Sequence, residues 1–267
     1  MTSDTSAAQV DPVRTLTAGD LSVRAHTSAE AMGRDAARQV AEVLRATIAE
    51  KGSARAILAT GNSQYPLMDA LAAHREEYGI DWSKVTAFHM DEYVGIDADH
   101  TASFRRWMRE RVEQRLGVGV MNYINGDSGD AEAECARYEA LLREAPIDLT
   151  CMGIGENGHL AFNEPHVAKF DDPRWANVIT LDETSRNQQV GEGHFPDFDA
   201  VPAEAISLSI PALLSASTVV VCVPEARKAD AVHATLNDEI STACPGTILR
   251  RAPQATLYLD NESSARI

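Results

Sequence analysis

The sequence predicts an α/β protein of Rossmann-like outline, a mostly parallel sheet with helices on both faces. Three observations carry the prediction. Apolar segments of strand period and of helix period alternate along the chain, which favours parallel strands joined by crossover helices. The 267 residues are 44% apolar, ample for a core of one large or two small domains. Short polar clusters follow the carboxyl ends of several strand-like runs, where open α/β sheets bind their ligands.

Residues 1–19 are polar and small, and predict a flexible N-terminal arm ahead of one domain over 20–267. LSVRAH (21–26) reads as a strand. Ser28 is a plausible N-cap for a helix that aligns Met32, Ala36, Val40, Val43, Leu44 and Ile48 on one face and stops at Gly52. ARAILAT (54–60) is a strand, followed by GNSQ and a helix opened by Pro66. KVTAFHM (84–90) is a strand ending in DEY, and TASFRRWMRERVEQRL (101–116) and DAEAECARYEALLREA (130–145) are helices. IDLTCMGIG (147–155) is a strand running into a glycine-rich loop. NVITLD, AISLSI, STVVVCV and ATLYLD read as further strands, and EARKADAVHATL (225–236) as a helix. Neither an internal repeat nor a low-complexity block interrupts this order. The strands ending at Thr60, Met90, Gly153 and Val223 thus deliver TGNS, DEY, GENGH and PEARK to one edge of one sheet.

Composition excludes several classes. The net charge is -16, and a duplex-binding surface needs a basic stripe. The short pairs Arg105-Arg106 and Arg250-Arg251 suit a solvated helix face or a strand edge, so nucleic acid is not expected. No apolar run is long enough to span a bilayer, and the first residues lack the layout of a signal peptide, so a cytoplasmic place and no membrane partner are expected. Cys135, Cys151, Cys222 and Cys244 show no CxxC spacing, and Cys151 and Cys222, inside apolar strand-like runs, are expected to be reduced core residues. An acidic chain that binds an anionic metabolite must gather cations and backbone N–H groups at one place.

Three stretches offer such chemistry. In ATGNSQYP (59–66), Thr60, Gly61, Asn62 and Ser63 join a strand to a helix start, where hydroxyls, free N–H groups and the helix dipole suit a phosphate. A plain βα turn would look the same. In FHMDEYVG (88–95), Asp91 and Glu92 follow a strand; such a carboxylate can act as a general base or can cap a turn. In GIGENGHLAFNEP (153–165), three glycines allow backbone close to a ligand, His159 can pass protons near neutral pH, and Glu164 lies five residues on.

MDEYVG (90–95) together with GIGENGHLAFNEP resembles the glucosamine-6-phosphate deaminase (isomerase) family, which is related to the 6-phosphogluconolactonases. The TGNS turn, HTASF after DEYVG, INGD (124–127) and RKA (227–229) extend the likeness over nearly the whole chain after the arm. The resemblance implies that Asp91 is the base moving a proton between C2 and C1 of the open-chain sugar. It implies that His159 opens the pyranose ring, that Glu164 supports it, and that Thr60 to Ser63 and Lys228 bind the phosphate. The chain departs from the family pattern twice. Asn157 stands where the family usually has an aspartate beside the histidine. Val190 stands where the family has a phosphate-binding arginine, and Arg186, one helical turn earlier, becomes the candidate for that task.

The expected activity is isomerisation and deamination of an amino-sugar 6-phosphate to a ketose 6-phosphate and ammonia. With no dinucleotide fingerprint and no metal-ligand cluster in the sequence, no cofactor is implied. A lactonase and a sugar-phosphate-binding module without turnover stay as alternatives. The resemblance also implies a possible homo-oligomer, and no residue reads the sugar epimer.

Overall fold

The computed structural model describes residues 10–191 and 193–267. Of the expected arm, residues 1–9 therefore lie outside the described residues. Its later part is not loose: β1 (Arg14–Ala18) pairs antiparallel with β2 (Leu21–Ala25). RTLTA is polar because β1 is an exposed edge, which is why its composition resembles a tail.

The chain continues through α1 (Ala29–Lys51) and β3 (Ala54–Leu58). The Ser28 hydroxyl accepts from Ala31 N at the start of α1, and Gly52 ends it at φ 83°, a left-handed conformation that favours glycine. Then follow α2 (Tyr65–Ala73), α3 (Arg75–Tyr78), β4 (Val85–His89) and β5 (Asp91–Tyr93). The predicted helix over 101–116 starts later and is broken into α4 (Phe104–Met108), a π-helical turn over Arg109–Glu113 and α5 (Gln114–Leu116). β6 (Val120–Asn122), α6 (Ala131–Arg143), β7 (Leu149–Met152) and β8 (Ala176–Thr180) come next. The last elements are α7 (Glu183–Gly191), β9 (Glu204–Leu208), α8 (Ile210–Leu213), β10 (Thr218–Val223), α9 (Ala229–Asn237) and β11 (Ala255–Leu259).

Among the described residues, eight strands form one sheet in the order β1-β2-β11-β10-β7-β3-β4-β6. Every pair is parallel except β1–β2. Both faces are covered, as the sequence predicts. Ala56, Leu58, Val220 and Cys222 pack under α1 and α2, while Ile57, Val219, Val221 and Val223 pack against α6, α8 and α9. Burial on both sides explains the unbroken apolar run TVVVCV. Cys151 and Cys222 are buried free thiols, as expected, and Cys135 is buried and free as well.

The single-sheet reading of the strands needs correction. NVITLD, AISLSI and DEY form a second, antiparallel sheet, β5-β9-β8. DEY is thus a strand and not a turn after one. Its three residues are buried and pair with Ser207, Ile206 and Ala205. No helix of the described residues is long and apolar enough to cross a membrane.

β3 leads through α2 to its neighbour β4 on one side, whereas β7 leads on to β10 on the other. The strand order therefore reverses between β3 and β7. A crevice opens at such a switch point, outside the carboxyl ends of the strands. β10, β7, β3 and β4 are consecutive there, so the four polar clusters do meet at one edge.

Candidate active site

The turn after β3 and the loop after β7 flank the crevice. Gly61, at φ 85°, opens a 3₁₀ turn over Asn62–Gln64 that runs straight into α2. Ala59, Thr60, Gly61, Asn62 and Ser63 line the cleft with Met90, Asp91, Gly153, Gly155, His159 and Lys228. Lys228 is buried at the end of a short 3₁₀ turn that leads into α9.

Asp91 sits at the step from the large sheet into the small one and is 8% exposed. Burial, and then the negative charge of Glu92, push its carboxyl up to about 8. The two neighbouring acids have opposite tasks because strand geometry points them to opposite faces. Glu92 is fully buried and accepts from the N–H groups of Phe104 and Arg105 and from the Ser103 hydroxyl. It caps α4, which is why residues 101–103 are not helical. His89, two residues before Asp91, is also structural: Nε2 accepts from Ile124 N at 2.8 Å, and burial holds it neutral, pulled down to about 3.

His159 is half-buried, and its ring lies flat on Gly155. A Cβ on Gly155 would stand 2.2 Å from Cε1 and Nε2 of the imidazole, so only glycine fits. The amide oxygen of Asn157 accepts from His159 N at 3.1 Å and lies 2.8 Å from Nδ1. A backbone N–H can only donate, so the amide oxygen must face it, and the same oxygen takes the Nδ1 proton. Asn157 thereby fixes the tautomer and makes Nε2 the proton-accepting nitrogen. What it lacks, compared with an aspartate, is charge.

Two expected site residues are placed elsewhere. Glu164 is fully buried beside Ser185 and Asp182, and no hydrogen bond joins it to His159. The turn over 160–164 is tied to β9: Phe162 N donates to Ser207 Oγ and Asn163 Nδ2 donates to Leu208 O. That anchoring sets Glu164 against the end of β8, with Oε2 3.8 Å from His166 Nδ1. Burial pushes its carboxyl up to about 7. Arg186 does not line the cleft. Its guanidinium stacks 3.9 Å over the Phe198 ring and donates to the carbonyls of Phe198 and Val201. The loop after α7 uses it up.

Gln189, His194 and Arg227 line the cleft instead and are not singled out by the sequence reading. Arg227 bridges Glu156 and Glu225 at 3.1 and 2.5 Å, tying the loop after β7 to the turn after β10. The RKA match points at this stretch but selects only its lysine. Gln189 and His194 belong to a polar segment without periodicity, and only the packing of α7 brings them to the crevice.

The family model "Glucosamine-6-phosphate isomerases/6-phosphogluconolactonase" matches residues 27–258. The chain belongs to this family. It is 36% identical over 206 residues to a glucosamine-6-phosphate deaminase of Bacillus cereus (strain G9842), covering 77% of this chain and 75% of the relative. It is 34% identical over 208 residues to the deaminase of Listeria innocua, covering 78% and 85%. Among solved structures, a monomeric glucosamine-6-phosphate deaminase superposes with a TM-score of 0.83 at 30% identity, covering 92% of this chain and 99% of that one. A 6-phosphogluconolactonase from Shewanella baltica shares the fold, with a TM-score of 0.71 at 20% identity, covering 89% and 96%. The family thus spans an isomerase/deaminase and a lactonase branch; of these four relatives the deaminases are 30–36% identical and the lactonase 20%.

Proposed function

We propose that this protein is an amino-sugar-6-phosphate isomerase/deaminase, converting glucosamine 6-phosphate or its galactosamine epimer to the ketose 6-phosphate and ammonia. The observation that carries the reading is Asp91, a buried carboxyl held near 8 in the same cleft as a tautomer-fixed His159. A base whose affinity for protons matches neutral pH suits proton abstraction next to a carbonyl. His159 Nε2 takes the proton of the C1 hydroxyl and returns it to the ring oxygen as the C1–O5 bond breaks. Asp91 removes the C2 proton, and the enolamine is reprotonated at C1. Water adds at C2, and ammonia leaves. The turn over Thr60–Ser63, the N-terminus of α2 and Lys228 hold the phosphate.

Ammonia release from glucosamine and galactosamine 6-phosphates, followed beside hydrolysis of 6-phosphogluconolactone, tests the assignment. Lactone hydrolysis without ammonia, or binding without either product, refutes it.

Lys228→Ala is expected to weaken sugar-phosphate binding by about 1.5–3 kcal/mol, the range for a charge-assisted contact. Binding of the unphosphorylated sugar should change little, and calorimetry on both ligands checks this. An equal loss on both ligands contradicts the phosphate role. Asn157→Asp adds the missing charge without moving the acceptor atom. It should raise turnover on glucosamine 6-phosphate and shift the acidic limb of the pH–rate profile upward, because a carboxylate stabilises the imidazolium. An unmoved profile with unchanged turnover means that the loop has adapted to the amide.

A further inference from the structure

Glu164, His166 and Asp182 converge beside the cleft, and their ligand atoms all lie within 4.8 Å of one another. We propose that these three residues form a binding site for a divalent transition metal of the zinc or manganese class, which fastens the turn over 160–168 to the start of α7. The proposal goes beyond the reaction assigned above and does not depend on it.

The hydrogen bonds of His166 carry the argument. Its Nε2 lies 3.1 Å from the carbonyl oxygen of Thr180, which can only accept. Nε2 therefore holds the proton, and a neutral ring presents the bare lone pair of Nδ1. That lone pair faces Glu164 Oε2 and Asp182 Oδ2, each at 3.8 Å. Metal-bound histidines are held in the same way, the far ring N–H donated to a backbone carbonyl.

The distances agree with a shared ion. At 3.8 Å the nitrogen and oxygens are too far apart for hydrogen bonds. Two ligand atoms each about 2.0–2.2 Å from one metal are separated by roughly 3–4 Å. The electrostatics ask for a cation as well. Glu164 is fully buried, and the polar groups beside its carboxylate are the Ser185 hydroxyl and the Asp182 carboxyl, neither of them a cation. Among the described residues, no lysine or arginine pairs with Glu164 or Asp182. A buried carboxylate in this state is costly unless an ion or a proton joins it. One imidazole with two carboxylates suits zinc or manganese better than calcium, which prefers oxygen ligands throughout.

The consequence reaches the active site. Asp182 Oδ1 already accepts from Ser185 N at 2.7 Å and caps α7, so its other oxygen is the one offered to the ion. α7 carries Gln189 and leads to His194, both of which line the cleft. An ion at this site would hold that wall of the cleft in place.

Calorimetric titration of EDTA-treated protein with zinc chloride and with manganese chloride tests the proposal, with calcium chloride as control. One equivalent of zinc or manganese should bind, calcium should bind much more weakly, and Tm should rise with the bound ion. His166→Ala and Asp182→Asn should each weaken the binding at least about tenfold, since even partners one shell further out carry about 10–100-fold in affinity. Manganese should also broaden the His166 ring resonances selectively. The proposal is overturned by an absence of binding, or by binding that both variants leave unchanged. A His166 ring that is protonated at neutral pH and that zinc does not displace overturns it too, because a proton then occupies the place of the ion. Circular dichroism of each variant shows that a loss of binding is not a loss of fold.

Discussion

Asp91→Asn is expected to lower turnover on amino-sugar 6-phosphates by at least about 10²–10⁴-fold, the size of a general-base contribution. The amide keeps the shape of the acid but cannot take the C2 proton. The proposed phosphate contacts lie elsewhere in the cleft, so binding should stay within a few-fold. The same variant should be more stable than the parent at and above neutral pH. The carboxyl is raised from 3.8 to about 8 in the folded protein. The folded state thus keeps a proton that the unfolded chain releases, and the stability this gives is full below about pH 4 and lost as the pH rises through 8. A tenfold difference in proton affinity corresponds to about 1.4 kcal/mol. The stability gap between variant and parent should therefore widen by on the order of a few kcal/mol from pH 5 to pH 8. Urea unfolding at both pH values measures it, and near-normal turnover or a gap that does not grow removes Asp91 from its role.

Gly155→Ala is the second substitution with a large expected effect, although it removes no chemical group. The new Cβ would stand 2.2 Å from the His159 ring, which must move away and lose its 2.8 Å contact with Asn157. A displacement of about 1 Å in a catalytic group can cost about 10²-fold in rate. We expect that loss in kcat, with KM nearly unchanged because the proposed phosphate site, the turn over Thr60–Ser63 and Lys228, does not move. The cost in stability should be about 1–3 kcal/mol, as for an overpacked site. Single-turnover kinetics separate the two parameters, and normal kcat would mean that the ring is not held against Gly155.

Where side-chain period was strong, the sequence was a good guide. α1 and its caps, the buried strands β3, β4, β7, β10 and β11, and the edge at which TGNS, GENGH and PEARK meet were all legible, because each depends on neighbours within a few residues. β1 was hidden because an exposed edge strand has no reason to be apolar. β5 was hidden because DEY is polar in sequence but buried by pairing with β9, more than 100 residues away. Partners outside the local pattern also explain the site residues that lie elsewhere. Arg186 lies one helical turn from Val190, but Phe198 and two carbonyls of the following loop decide where its charge goes.

By itself the sequence determined the parallel α/β architecture and the family through MDEYVG and GIGENGHLAFNEP, and that resemblance implied the proposed pair of Asp91 as base and His159 as proton carrier. Local pattern suffices for the architecture and the motifs, since strand and helix periods and the order of residues within a motif are properties of contiguous residues. Tertiary structure alone decided that Glu92 is a helix cap while Asp91 faces the cleft, that Asn157 fixes the His159 tautomer, and that Glu164 joins His166 and Asp182. Those outcomes depend on burial and on partners brought in from distant strands, and both set how strongly a side chain holds a proton and which atoms it can reach.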